Sequence, residues 1–353
     1  MKIVDRYIAV VVITGTLTAF LVVVGLNVFF SFIGQIEDVG EGGYTLLKML
    51  ATVMLSVPNS MYELFPVATL LGSLIGMGML ASNSELIAMR ASGLSIWRIV
   101  LSVMQAGVIM LLVAVLLGEF VAPMAEQTAQ QLRASATDAR VSFMGNRGLW
   151  VRDEKLFINA RNVVSENTLA DITVYEFDDD AKLKVATRAR SARYRNGQWV
   201  LRDVQQSEFG KDSVQVKHID MLSRDSLLTP ELLGIVVLKP EDMSARDISQ
   251  FMGYLEDNGL DTQQYRYALL GRFVTPLSAL VMLFVSVPFV FGGLRSVSAG
   301  QRLFIGIMVG FGFYILSEIS GQMGRVYDIN PLLATLAPSV IFLLIGIRAV
   351  RRL

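Results

Sequence analysis

The chain has no cysteine and a single histidine, His218. Without cysteine there is no disulfide, no thiolate nucleophile and no Cys-ligated metal. One histidine removes most zinc sites and His-based triads, so no residue is assigned as catalytic or metal-ligating. His218 lies in Val214-Gln215-Val216-Lys217-His218-Ile219, where every second residue is apolar, and reads as a solvent-facing strand residue. Charge is scarce as well: 18% of the 353 residues carry it, against roughly 25% in soluble domains. Thirty-one basic residues cancel 31 acidic ones. A nucleic-acid binder would need a basic excess. There is no G-x-x-x-x-G-K-[ST] loop either. The only Gly-Lys pair, Gly210-Lys211, is followed by Asp212, which excludes P-loop nucleotide binding on this chain.

Apolar residues are abundant, at 53% of the chain. The charges are also unevenly placed. Residues 122–264 hold 18 basic and 22 acidic residues, leaving 13 and 9 for the rest. One third of the chain is water-facing, and the remainder is too apolar to dissolve. A soluble enzyme is excluded.

A bilayer core takes about 20 apolar residues in helix. Six stretches meet or approach this: Tyr7–Phe32, Met61–Ala81, Ile99–Leu117, Phe273–Phe291, Leu303–Gly324 and Pro331–Ile347. The last is short and contains Pro338. The first outruns a signal-peptide core and ends without a small-x-small cleavage site, so it reads as a retained span. Short-loop basic residues set orientation. With the N-terminus cytoplasmic, that side collects Lys2, Arg6, Arg90, Arg98, Arg295, Arg302, Arg348, Arg351 and Arg352, and the other only Lys48 and Arg325. Both termini are then cytoplasmic, and the insert between spans three and four is outside. Trp97 begins span three, where an interfacial aromatic belongs.

The insert reads as β-structure. Asp171–Phe177 looks like a strand ended by Asp178-Asp179-Asp180, and Val185–Tyr194 alternates small or apolar positions with arginines. Asn196-Gly197 then precedes Trp199, Val200 and Leu201, a strong hairpin signal because a type I′ turn needs two positive φ angles. No helical stripe runs through this region, so an antiparallel sandwich or roll is expected. The polar flanks 122–139 and 242–264 read as helical connectors. The fold class is therefore an α-helical membrane protein with six transmembrane helices, three on each side of an inserted extracytoplasmic all-β, jellyroll-like domain. Its divisions are 1–122 with a short cytoplasmic helix near 83–93, then 123–264, then 265–353.

Membrane acids are few: Glu63 and Glu119 near span ends, and Glu318 toward the outer end of span five. A mid-bilayer charge costs about 2.5–3.5 kcal/mol on insertion scales, so each is expected to face protein or water. A proton relay through Glu318 is the alternative to simple pairing or snorkelling. Gly72 with Gly76, and Gly306 with Gly310, allow close helix approach, within the chain or between subunits.

Between spans two and three lies Ser82-Asn83-Ser84-Glu85-Leu86-Ile87-Ala88-Met89-Arg90-Ala91-Ser92-Gly93-Leu94-Ser95. Ser82 or Ser84 can cap a short helix and Gly93 can end it. A tight turn needs fewer residues, so this amphipathic piece suggests a knob for docking another protein, with resting on lipid headgroups as the alternative.

These segments are similar to those of a known family. Asp5-Arg6-Tyr7 precedes span one, and Ser56-Val57-Pro58 comes before Phe65-Pro66 and the run from Leu70 to Ala81. Ser84-Glu85-Leu86, Ala91-Ser92-Gly93, Gly118-Glu119-Phe120-Val121-Ala122-Pro123 and Phe291-Gly292-Gly293-Leu294-Arg295-Ser296 follow. Together they resemble the LptF/LptG family of lipopolysaccharide export permeases, the G subunit more than F, across the whole chain. The resemblance implies a noncatalytic subunit in the inner membrane of a Gram-negative envelope. Its partners would be an LptF-like paralogue, an LptB-like ATPase dimer and an LptC-like periplasmic or membrane component. ATP and Mg would sit on the ATPase and no cofactor on this chain, with lipopolysaccharide as substrate and no nucleic acid. It implies ATPase coupling through Glu85, Leu86, Met89 and Arg90, lipid A phosphate recognition near Arg133, and a lipid cavity lined by spans one and five. From span position, Phe65, Phe311 and Tyr314 are candidates for acyl-chain contact. One stretch departs from the family: Ser31–Asp38 contains no basic residue where members often carry lysines, so Arg133 or a partner would have to supply that charge. Two other classes also fit a membrane chain with an external β-domain, a scaffold or sensor and an ion-driven carrier. Lipid in the cavity separates the first from an exporter, and the effect of Glu318→Gln separates the second.

Overall fold

The protein's structure, a computed structural model, describes residues 3–40, 43–136, 149–153, 156–165, 167–178, 182–195, 197–210, 213–225, 239–291 and 299–352. The helices are α1 (Ile3–Gln35), α2 (Leu46–Leu55), α3 (Val57–Glu63), α4 (Phe65–Ser82), α5 (Glu85–Ala91), α6 (Ile96–Leu116), α7 (Ala122–Ala136), α8 (Ala245–Asp257), α9 (Gln263–Phe291), α10 (Ala299–Val326) and α11 (Pro331–Val350). Among the described residues six are long and apolar enough to cross a bilayer: α1, α4, α6, α9, α10 and α11. They fall three before the β-region and three after it.

Local chemistry sets where the helices begin. Side-chain oxygens of Thr45, Ser95, Ser244 and Asn330 accept from backbone N–H groups at the starts of α2, α6, α8 and α11. The second span starts at Phe65, later than hydropathy marks it, because Val57–Glu63 forms a separate helix. Pro66 has no N–H to return to the preceding turn, so the chain breaks at Leu64. Pro338 does not end α11, and Pro276 and Pro288 lie within α9. An internal proline strands the carbonyl four residues earlier. The Ala334 carbonyl accepts from Ser320 Oγ at 2.6 Å, and the Arg272 carbonyl from Tyr62 Oη at 2.9 Å. Neighbouring helices thus restore two of the bonds that proline removes.

The hub of the bundle is α4, 72% of whose span is buried, against 17% for α10. Its three faces meet three helices. A Cβ added at Gly72 would lie 2.2 Å from Thr16 Cα, and one at Gly76 2.6 Å from the Val11 carbonyl oxygen. The backbones of α1 and α4 therefore touch directly. Ser73 and Ser286 share a buried hydrogen bond of 2.6 Å between α4 and α9. Gly306 and Gly310 of α10 meet Leu71, Leu74 and Val67 of α4. Both glycine pairs are thus contacts within the chain.

Six strands, β1 (Leu149–Asp153), β2 (Leu156–Ser165), β3 (Thr168–Phe177), β4 (Leu183–Arg195), β5 (Gln198–Phe209) and β6 (Val214–Asp225), form one antiparallel sheet in sequential order. The inserted β-domain is present. Among the described strands it is a meander, with none of the Greek-key crossings of a full jellyroll. At the β4–β5 hairpin Arg195 pairs with Gln198 and Gly197 has φ +84°, as the short turn requires; Asn196 lies outside the described residues. One face of the sheet buries Ile158, Ile172, Val174, Trp199, Leu201 and Val204, and Tyr254 of α8 packs against that cluster. His218 is exposed on β6, opposite Gln205. Helices occupy both flanks of the sheet, α7 leading out and α8 leading back. Asp179 and Asp180 of the expected turn, and Gly292–Ser296, lie outside the described residues.

Candidate functional site

On the face that carries both termini, α5 stands between α4 and α6. Neither expected serine caps it: Ser84 is itself left-handed (φ 63°) with no capping side-chain bond, and the Ser82 hydroxyl donates instead to the Met79 carbonyl at 2.9 Å. The C-terminus follows the sequence. Gly93 has φ +92°, its N–H donates to the Arg90 carbonyl, and Leu94 N–H donates to that of Met89. This pair of bonds is a Schellman close. Leu86 is 4% exposed and Met89 half-buried, both against the main apolar core. Burying one such side chain is worth about 1.5–3 kcal/mol, which anchors this face of α5 on the bundle. Arg90 lines a shallow groove with Leu86, Ile87 and the α9 end residues Val290 and Phe291.

Glu85 is partnered from α1, accepting from Tyr7 Oη at 2.7 Å and from Asn83 Nδ2 at 3.4 Å. Beside it Asp5, 3% exposed, pairs with Arg98 at 2.7 Å and accepts from Ser102 Oγ at 2.7 Å. The ends of α1, α5 and α6 are therefore joined by polar contacts on one face. No local pattern announces the bond from Tyr7, because its partner lies 78 residues away.

At the opposite end of the bundle a cleft of about 330 Å³ opens among α3, α4, α9, α10 and α11, lined by Tyr62, Glu63, Tyr267, Tyr314, Glu318 and Arg325 among others. Each membrane acid has a partner. Glu318 accepts from Gln322 at 3.0 Å, Glu63 from Asn59 at 3.4 Å, and Glu119 from the backbone N–H groups of Ala245 and Arg246. Near this end Asp242, outside the spans, accepts from Asn59 Nδ2 at 2.8 Å. Burial, then the nearby Glu126 carboxylate, push its pKa up to about 6.

The four lipid-contact candidates are dispersed. Phe65 is 4% exposed and meets Phe20 edge-on at 5.1 Å, so its ring is covered inside the chain. Phe311 and Tyr314 stand 57% and 50% exposed on α10, and Tyr314 also borders the cleft. Arg133 of α7 is partly exposed and paired with Asp38 beyond α1. Wide apolar faces flank α4 on both sides. On α1 they include Leu17, Leu21, Phe29 and Phe30, and on α10 Phe304, Met308, Phe311 and Ile319, all exposed. Such faces suit lipid or a second membrane protein. Among the described residues no group of acids or histidine is placed to hold a metal ion.

Arg272, which no motif in the sequence singles out, is 7% exposed with its guanidinium 5.0 Å from the Tyr62 ring centre. Its position four residues before Pro276 is the one available signal, since that spacing marks a carbonyl needing an outside donor.

The chain is 34% identical over 347 residues to the lipopolysaccharide export system permease protein LptG of Escherichia coli K12, covering 97% of this chain and 96% of that protein. It is 33% identical over 341 residues to the LptG of Haemophilus influenzae Rd, covering 96% and 95%. Residues 6–352 match the family described as lipopolysaccharide export system permease LptF/LptG. On that extent of match, the chain belongs to the LptF/LptG family of lipopolysaccharide export permeases.

Proposed function

We propose that this multi-pass inner-membrane permease is a noncatalytic subunit that extracts lipopolysaccharide and passes it to its β-domain, driven by a separate ATPase gripping α5. Drawing one acyl chain of about a dozen carbons into water costs on the order of 10 kcal/mol, so a multi-acyl lipid needs an apolar route throughout. The exposed faces of α1 and α10 supply one wall within the membrane, an LptF-like paralogue completes it, and an LptC-like component receives the lipid beyond it. Both termini and α5 lie in the cytoplasm and the β-domain in the periplasm on this reading, which the nine-to-two bias of short-loop basic residues supports. The chain divides for this task into 1–122, 123–264 and 265–353.

The observation that carries the reading is α5 itself. It is seated by Leu86 and closed at Gly93, with Arg90 facing outward and Glu85 at its first turn. ATP and Mg belong to an LptB-like dimer, whose force enters through Glu85, Leu86, Met89 and Arg90. Arg133 can receive a lipid phosphate only by sharing or releasing Asp38. Isolation of the tagged chain in mild detergent, with companions identified by mass, is expected to return a P-loop ATPase and a related permease. Glu85→Ala is expected to return the permease with much less ATPase. Absence of any ATPase from the wild-type eluate overturns the reading, and a full yield with Glu85→Ala overturns the role of that residue.

A further inference from the structure

Three chain segments distant in sequence are bonded together where the bundle meets the β-domain. The third span widens there into a π-helical turn, Leu117–Val121, a form that recurs at functional sites. Arg272 of α9 donates through Nη1 to the Gly118 carbonyl at 2.9 Å and through Nη2 to the Glu241 carbonyl at 2.8 Å. Its guanidinium stacks over Tyr62, whose ring presses on Gly118: a Cβ there would sit 2.3 Å from Tyr62 Cε2. One residue on, the Glu119 carboxylate accepts from Ala245 N–H at 2.9 Å and Arg246 N–H at 3.3 Å. Those are the first N–H groups of α8, where a negative charge is also favoured by the helix dipole.

From this clasp α8 runs directly to the sheet. Its Phe251 and Leu255 form a cluster with Tyr265, Ala268 and Leu269 of α9, and Tyr254 reaches the sheet's own core. Contacts thus run unbroken from spans three and four through α8 to the sheet. We propose that Arg272 and Glu119 are positioning residues that carry movement of spans three and four to the β-domain, aligning it to receive lipid. This rests on the exporter reading above and adds the site of transmission. Arginine suits the task because its planar fork holds two carbonyls in fixed directions while its face stacks on a ring, whereas a lysine ammonium is a compact point charge with no such plane.

The test uses the complete complex in vesicles containing lipopolysaccharide, with photo-crosslinkers on the α1 face and inside the sheet. ATPase rate is measured alongside. Arg272→Lys and Glu119→Ala are expected to assemble and hydrolyse ATP while lowering the ratio of sheet-bound to bundle-bound lipid about tenfold, the size of one charge-assisted buried hydrogen bond. Glu119→Gln, which keeps an acceptor oxygen, is expected to restore most of it. An unchanged ratio in both defective variants overturns the proposal. So does equal loss of ATPase and both crosslinks in all three variants, since that marks a merely structural role. Wild-type complex that delivers no lipid to the sheet overturns the exporter reading instead.

Discussion

Tyr62 Oη donates to the Arg272 carbonyl oxygen at 2.9 Å, across 210 residues of sequence. That oxygen is the one left without a helical donor by Pro276. The same ring lies under the Arg272 guanidinium, so one tyrosine serves both the backbone and the side chain of a single arginine.

Tyr62→Phe separates the two services. The ring and its stacking remain, while a buried carbonyl loses its donor at a cost of about 1–3 kcal/mol. The thermal midpoint of the detergent-solubilised chain is expected to fall accordingly. An unchanged midpoint would show that the Pro276 gap is filled by another donor.

Gly72→Ala forces the backbones of α1 and α4 apart, because the added methyl lies 2.2 Å from Thr16 Cα. Overpacking of this kind costs about 1–3 kcal/mol. Gly25→Ala is the control, with nothing within 4 Å of its new Cβ, and gains helix propensity. Thermal unfolding of the two variants is expected to move in opposite directions.

Gly93→Val places a β-branched residue at φ +92°, where L-residues are strained by roughly 1–2 kcal/mol. The Schellman close then opens and α5 loosens, although Glu85, Leu86, Met89 and Arg90 are untouched. Amide exchange at Leu94, whose N–H closes the motif on Met89, is expected to quicken, with less ATPase co-isolated. Unaltered exchange there would show that the helix end holds without its glycine.

Asp242 gives a pH dependence of definite sign. Its pKa rises from the ordinary 3.8 to about 6 when the chain folds. Between those values the folded state binds more protons than the unfolded state, so stability falls as pH rises through the window and levels off above it. Asp242→Asn removes the titrating group. From about pH 7 to pH 5 the wild type is expected to gain on the variant in thermal midpoint, and parallel curves would refute the assignment.

The spans were legible in the sequence because hydropathy alone marks them, and the sheet because Asn196-Gly197 and Trp199 fall in a period-two pattern. The short helix near Glu85 was legible from Gly93, but its N-terminus was not. Serine caps are a propensity, and here the turn between α4 and α5 sets Ser84 left-handed instead. Arg272 was illegible for another reason. An arginine before a span reads as an interfacial charge, and its acceptors lie 154 and 31 residues away. Phe65 looked lipid-facing by position, yet Phe20 covers it. Which way a ring turns within a span depends on its neighbours, and composition carries no record of that.

The main-chain touch between α1 and α4 has a mechanical corollary. With Gly72 against Thr16 and Gly76 against Val11, backbone meets backbone at two successive turns, and axial slippage would drive main-chain atoms of one helix into the other. The two helices are therefore held in one register, and any shift of α1 along its axis has to take α4 with it.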